Sequence, residues 1–328
     1  MSDSLVDIGI QLYRIILPVI IIIGIVGNSL NIVVLTRPTL YYHSCSRYFL
    51  ALAITNLFYS SIIFTYRLLA NGYQINLSNN SIVSCKIITY ISTTSAFFSP
   101  YLIVLASIDR YCASSRSPSM RKFSRAYVAQ WMSSIIVVIF SLFFIYILVT
   151  ANLQPEKGLS CAVQVNSIFS QVYLIIQVSL FAVVPPSLMM IFGLMTIQNA
   201  NRSRAIQVVA SRYNRTEHQL ARMLLLQVSV HVFLTLPSSV TYLMAALPNK
   251  IQTTSTFSFI SIICQLLFNC SYITSFFLYL LSGRIYRKEL SQLMYKTFKI
   301  RYGNRVKSLT NHNTILSIAS LTNPRPAI

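Results

Sequence analysis

Seven stretches of the chain run without Lys, Arg, Asp or Glu for about 20 residues or more, the length an α-helix needs to cross a bilayer. They are Ile15 to Thr36, Tyr48 to Tyr66, Ile87 to Ile108, Ala126 to Pro155, Gly158 to Asn201, Met223 to Asn249 and Ile251 to Gly283. In lipid each can satisfy its backbone hydrogen bonds only within itself, so each predicts one spanning helix. The expected fold is an all-α membrane protein. A seven-transmembrane-helix bundle over 12–283 follows an extracellular N-terminal segment over 1–11, and a short amphipathic helix over 284–296 leads to a cytoplasmic tail over 297–328. The amphipathic reading rests on Ile285, Leu290, Leu293 and Met294, which recur at helical spacing with Arg284, Arg287 and Lys288 between them.

Composition points the same way. The 328 residues are 55% hydrophobic and 10% charged, a balance that needs lipid over most of the apolar surface. A net charge of +20 raises the question of nucleic acid, but the cations sort by loop and form no contiguous footprint, so nucleic acid is excluded as a partner. With seven spans the loops alternate sides. Of the 26 Lys and Arg, Arg14, Arg67, Lys86, Lys157 and Lys250 fall on the N-terminal side and all others on the opposite one. Basic loops stay cytoplasmic, which predicts a multi-pass plasma-membrane protein with its N-terminus extracellular. The acidic lead from Met1 to Asp7 lacks a basic n-region, so the first span is expected to serve as its own insertion signal.

The same topology sorts the cysteines. Cys85 and Cys161 lie at outer segment ends, whereas Cys45, Cys112, Cys264 and Cys270 lie inside or within the membrane. Only the outer pair meets an oxidising compartment, and a Cys85–Cys161 disulfide is expected. Two sequons, at Asn76 and Asn79, lie in the first outer loop and are expected to carry glycans, while Asn214 falls on the cytoplasmic side. No His/Cys cluster has metal-ligand spacing, so neither a metal nor a cofactor is expected. Ser308, Thr310, Thr314, Ser317, Ser320 and Thr322 make the tail a candidate for phosphorylation.

Asp109-Arg110-Tyr111 closes the third span at its inner end, where a charge at the edge of a low-dielectric region is costly and usually functional. Its spacing from Cys85 is followed in order by other landmarks. These are Gly27-Asn28 in the first span, Leu52-Ala53 and Asn56 in the second, Trp131 in the fourth, Pro185-Pro186 in the fifth and Pro237 in the sixth. Tyr279 then ends the seventh, with Tyr286 beyond it. From Gly27 to Leu290 this set resembles the rhodopsin-like (class A) G-protein-coupled receptors, and the Phe276-Phe277-Leu278-Tyr279 pattern is similar to divergent invertebrate peptide receptors. The resemblance implies a non-enzymatic receptor whose ligand opens a cytoplasmic cleft for a heterotrimeric G protein, with arrestin as a further partner through a phosphorylated tail. It assigns coupling and switching to Asp109, Arg110, Tyr111, Glu217 and Tyr279, and helix-core polar roles to Asn28, Asn56 and Ser275. Glu217, about 30 Å below Pro237 along the sixth helix, is expected to pair with Arg110.

Several family positions differ here. Asn56 stands where an aspartate is usual, so weak sodium binding is expected. Thr235 and His231 replace the usual aromatics before Pro237, Ser275-Phe276 replaces Asn-Pro before Tyr279, and Pro100 replaces an aliphatic residue. His231 invites a proton-sensor reading, but a neutral, hydrogen-bonded histidine is the expectation. Ser92 occupies the position where amine receptors carry an aspartate, and the seventh span contains no lysine for a retinal Schiff base, so neither ligand fits. Arg67, near the top of the second span, instead suits a carboxylate. A short neuropeptide lined by Tyr66, Arg67, Ser92, Gln171, Tyr242 and Gln265 is therefore the expected ligand; the alternatives are a small acidic or lipid ligand, or a receptor fold that no longer signals. A transporter lacks the acidic residues at mid-membrane that it would need, and an intramembrane aspartyl protease lacks a second carboxylate.

Overall fold

A computed structural model describes residues 2–115, 117–154, 160–163, 168–204, 212–246 and 254–295. Side chains of residues 2–4, 200–204, 212–215, 217–218 and 245–246 lie outside the description, as does the tail from 296 onward. Among the described residues seven helices are long and apolar enough to cross a membrane. They are α1 (Ser2–Leu35), α2 (Ser44–Gly72), α3 (Ile82–Ser114), α4 (Ala126–Thr150), α5 (Ile168–Ala182 continuing as Val184–Arg204), α6 (Arg212–Ala246) and α7 (Ser255–Ser282).

The helices close into a ring. α1 packs on α7 and α2, α2 on α3 and α4, α3 on α4 and α5, and α5 on α6, which returns to α7. α3 is the axial helix: its most apolar window is 72% buried, against 17% for α4 and α5. The surfaces that face away from the bundle carry Trp131, Phe233, Leu281 and Val149, each more than two-thirds exposed. Apolar faces of that size need lipid to cover them.

Two observations explain the close approach of α1 to its neighbours. A Cβ at Gly24 would lie 2.5 Å from Ser60 Oγ of α2, so glycine is what allows that contact. One turn on, Asn28 Nδ2 donates to Gly24 O at 2.8 Å and to Tyr272 O of α7 at 3.1 Å, which ties the two helices together. In α5 the consecutive Pro185 and Pro186 lack N–H donors, and the helix breaks at Val183. Tyr101 of α3 donates its hydroxyl to Leu180 O at 2.9 Å beside that break.

The core divides into two layers. One, at the Asp109 end, includes Leu52, Leu102, Leu220, Met223 and Phe49, whose ring meets Tyr279 at 4.8 Å. The other, toward Cys85, is aromatic, with Tyr59 stacked on Tyr272 at 4.2 Å and Phe97 packed against Phe140 and Phe144.

The loop after α4 forms a hairpin, β1 (Ala151–Gln154) antiparallel to β2 (Ser160–Val163), with Leu153 opposite Cys161. Cys161 is disulfide-bonded to Cys85 at the start of α3, with the two Cα atoms 5.5 Å apart, as the cysteine distribution predicts. Ser81 caps α3 by accepting the Ser84 N–H at 3.1 Å. Asn79 Oδ1 accepts the Cys161 N–H at 3.0 Å, so this sequon side chain helps hold the hairpin, while Asn76 is exposed.

The helices exceed the charge-free runs at their ends. α1 already begins at Ser2, within the segment read as an N-terminal extension, and contains Arg14, which donates to Gly72 O at 2.6 Å and lies 5.4 Å from the Tyr73 ring. α2 continues past Arg67 through two π-helical turns, Tyr59–Ile63 and Leu68–Gly72. After Gly283 the backbone is helical again over 284–295, with Tyr286 buried against Tyr279 and donating to Asn31 Oδ1 at 2.7 Å. Phe49→Ala would empty the ring position between α2 and Tyr279. It is expected to lower stability by about 3–5 kcal/mol, read as a fall in the thermal unfolding midpoint of detergent-purified protein.

Candidate functional site

Three layers of polar residues run through the bundle. At the end of α3, Arg110 donates from Nε to Asp109 Oδ2 at 3.0 Å and from Nη2 to the same oxygen at 2.5 Å. Both residues are buried, Arg110 3% and Asp109 5% exposed. Ser44, the first residue of α2, donates to Asp109 Oδ2 at 2.9 Å and accepts from Arg110 Nη2 at 2.8 Å. Ser124, from the segment entering α4, lies 2.9 Å from Ser44 Oγ and 3.3 Å from Arg110 Nη2. An ion pair removed from water gains little unless its remaining hydrogen-bonding capacity is met. The two serines help meet it, and they tie α2 and the connection to α4 to the charge pair on α3. Tyr111 turns away from this cluster, its ring 5.8 Å from Phe192 of α5.

The middle layer is built on Asn56. Its Oδ1 accepts from Ser99 Oγ of α3 at 2.5 Å and its Nδ2 donates to Ser275 Oγ of α7 at 3.3 Å. One neutral amide thus joins three helices, with no carboxylate among these groups. Beside it in α6, Thr235 donates back to His231 O at 2.8 Å. His231 is buried and its Nδ1 has no hydrogen-bond partner. Pro100, Pro185, Pro186, His231, Thr235 and Phe268 are among the residues that line a cavity of about 10 Å³ here, the room of roughly one water molecule. Small polar residues at positions that aromatics would fill leave this space open.

Toward the disulfide end, Arg67 Nη1 donates to Asn269 Oδ1 of α7 at 3.2 Å, and Gln265 Nε2 donates to the same oxygen at 3.3 Å. Across the bundle, Gln177 Nε2 of α5 donates to Tyr242 Oη of α6 at 3.2 Å, and the Tyr242 ring lies 5.5 Å from Phe181.

Residues 27–278 match the family described as 7 transmembrane receptor (rhodopsin family). The chain belongs to that family. It is also similar to the somatostatin receptor type 4 of Rattus norvegicus, at 24% identity over 268 residues, which is 77% of this chain and 66% of that protein, just under two thirds of its length. The receptor has no enzymatic chemistry to explain. Among its described residues no group of three or more His, Cys, Asp or Glu side chains could hold a metal ion.

The structure brings together some of the residues singled out from sequence and separates others. Asn56 and Ser275 meet directly, whereas Asn28 serves the α1–α7 contact. Tyr279 is fully buried, its hydroxyl without a partner, so in this conformation it belongs to the core and not to the surface. Glu217 lies in α6, but its side chain and therefore its expected pairing with Arg110 lie outside the described residues. Arg67 and Gln265 converge on Asn269. Tyr66 donates instead to Ser78 at 3.1 Å, Ser92 keeps a buried hydroxyl without a partner, and Gln171 is exposed on α5. The residue of α5 that reaches Tyr242 is Gln177, two turns further along the helix.

Sequence reasoning missed Ser44, Ser99, Ser124, Gln177 and Asn269. Only Asn269 carried a usable signal, because it and Gln265, one turn apart, are the two amides of α7. Ser99→Ala would strip Asn56 Oδ1 of its 2.5 Å donor in a dry core. A loss of about 1–3 kcal/mol is expected, measured by thermal unfolding, and Ser99→Thr should retain most of the wild-type value.

Proposed function

We propose that this receptor sits in the plasma membrane with its N-terminus outside, binds a short peptide at the disulfide end and activates a heterotrimeric G protein at the Asp109 end. The observation that carries the coupling half is the buried Asp109–Arg110 pair and its serine partners. Such a cluster is bistable. The hydroxyls hold the guanidinium inward in the resting state, and motion of α6 relative to α3 would release it toward an incoming partner. A ligand that favours the released state by a few kcal/mol shifts the population accordingly. Residues 284–295 and their cations suit the inner leaflet, and phosphorylation of the tail beyond them would recruit arrestin.

The ligand half rests on Arg67, a cation within the α2 span that no carboxylate among the described residues neutralises. Its guanidinium favours an acidic side chain or C-terminus on the ligand, with Gln265, Ser92 and Tyr242 as polar contacts and Tyr66 and Gln171 nearer the rim. The similarity to a somatostatin receptor supports a peptide. Glycans on Asn76 and Asn79 would flank this entrance. A second reading, a receptor that no longer signals, is favoured by the open space around His231 and Thr235 where an aromatic switch would act.

Expression at the cell surface with a neuropeptide library, recording G-protein dissociation, separates the two. A ligand-dependent signal that Arg110→Ala reduces by tenfold or more at equal surface expression supports coupling through the cluster. Binding of a peptide without any such signal would establish the non-signalling reading. For the ligand half, Arg67→Gln should weaken an acidic peptide about tenfold or more and leave its amidated or neutral analogue unchanged.

A further inference from the structure

Arg67 presents a problem of charge that its protein neighbours do not solve. Among the described residues its one hydrogen bond is to a neutral acceptor, Asn269 Oδ1 at 3.2 Å, which leaves most of the guanidinium's five N–H donors without a partner there. The nearest electrostatic neighbours are phenols, those of Tyr59, Tyr13, Tyr272 and Tyr66. Its Cζ lies 5.6 Å from the Tyr59 ring centroid, at the weak end of a cation–π contact. Of the acidic residues with described side chains, Asp7 is exposed near the start of α1, Asp109 is paired at the far end of α3, and Glu289 lies beyond α7. Arg67 is half-buried, and a cation held among aromatic rings within a membrane span favours a counter-charge.

Two further donors belong to Asn269 and Tyr59, residues in contact with Arg67. Asn269 is completely buried; with its oxygen accepting from both Arg67 and Gln265, its Nδ2 has no partner. Tyr59 is likewise completely buried, stacked on Tyr272, and its hydroxyl makes no hydrogen bond of ordinary length. A cation and two buried donors without partners, drawn from α2 and α7, are complementary to one small anion, and no carboxylate among the described residues pairs with Arg67.

We infer that Arg67, Asn269 and Tyr59 form a binding site for a single small monovalent anion, a halide or a carboxylate, which neutralises Arg67 while the receptor is without ligand. The site bridges α2 and α7 and so stabilises the arrangement in which both converge on Asn56. An acidic ligand would displace the anion, and a neutral ligand would bind beside it. The site therefore stands whether or not the ligand is a peptide.

The test uses the full-length receptor purified in nanodiscs, without ligand. Thermal unfolding is followed at constant ionic strength while sodium gluconate, whose anion is too large for the site, is replaced by chloride, bromide or acetate. A saturable rise in the midpoint of about 2–4 °C is expected with at least one of the small anions. A rise with chloride and bromide identifies a halide as the occupant; a rise with acetate alone identifies a carboxylate. Arg67→Met should abolish the response and unfold in gluconate no earlier than wild type, because it removes an uncompensated charge. Asn269→Leu should raise the half-saturating concentration about tenfold, and Lys86→Gln, at the same end of the bundle, should leave the titration unchanged. Equal midpoints in all four salts, or a small-anion response that survives Arg67→Met, would overturn the assignment.

Discussion

Lipid offers no hydrogen bonds, and this one absence shapes the whole molecule. Every backbone amide in the hydrocarbon region must be satisfied along its own helix, which is why the chain is seven long helices. The same rule applies to side chains. Each polar group inside the bundle must find a partner on another helix or on the turn behind it, and those partnerships decide how the helices meet. Asn28 ties α1 to α7, Asn56 ties α2 to α3 and α7, and Tyr286 ties the segment after α7 back to α1.

That rule is broken at several buried atoms among the described residues. The buried atoms without partners include His231 Nδ1, Asn269 Nδ2, Tyr59 Oη and Tyr279 Oη, and also groups such as Asn31 Nδ2 and Ser46 Oγ in the packed core. An unsatisfied buried group raises the free energy of the state that contains it, so a state that satisfies it can compete. Tyr279 illustrates the point. It is packed between Phe49 and Tyr286, and its hydroxyl has no partner in this conformation. The Asp109–Arg110 cluster is the converse case, a charge pair stabilised by two serines from separate parts of the chain. One layer is satisfied, and the other holds an unsatisfied hydroxyl.

The altered positions make mechanical sense in these terms. Family members place aromatics near the α6 proline; here Thr235 bonds back to its own helix and His231 borders a cavity about one water wide. The two consecutive prolines in α5 and Pro100 in α3 sit around the same cavity, so backbone irregularity and missing bulk coincide at one level of the membrane.

The sequence by itself determined the number of helices, their approximate spans and the disulfide. Those follow from the cost of dehydrating charge and from which cysteines meet an oxidising compartment, and both are local properties of the chain. It misjudged helix ends, because counting to the first cation stops short when that cation finds a partner, as Arg14 does on Gly72 O. It singled out Asn56, Ser275, Asp109 and Arg110 through their order along the chain. It gave no sign of Ser44, Ser99 or Ser124, since small hydroxyls are common in such helices and become partners only when distant segments meet. Likewise it marked Arg67 as a cation, but only the packing of α2 against α7 showed that Asn269, a neutral amide, faces it. Which polar groups find each other, and which are left wanting, depends on helix rotation and register, and tertiary structure alone decides those.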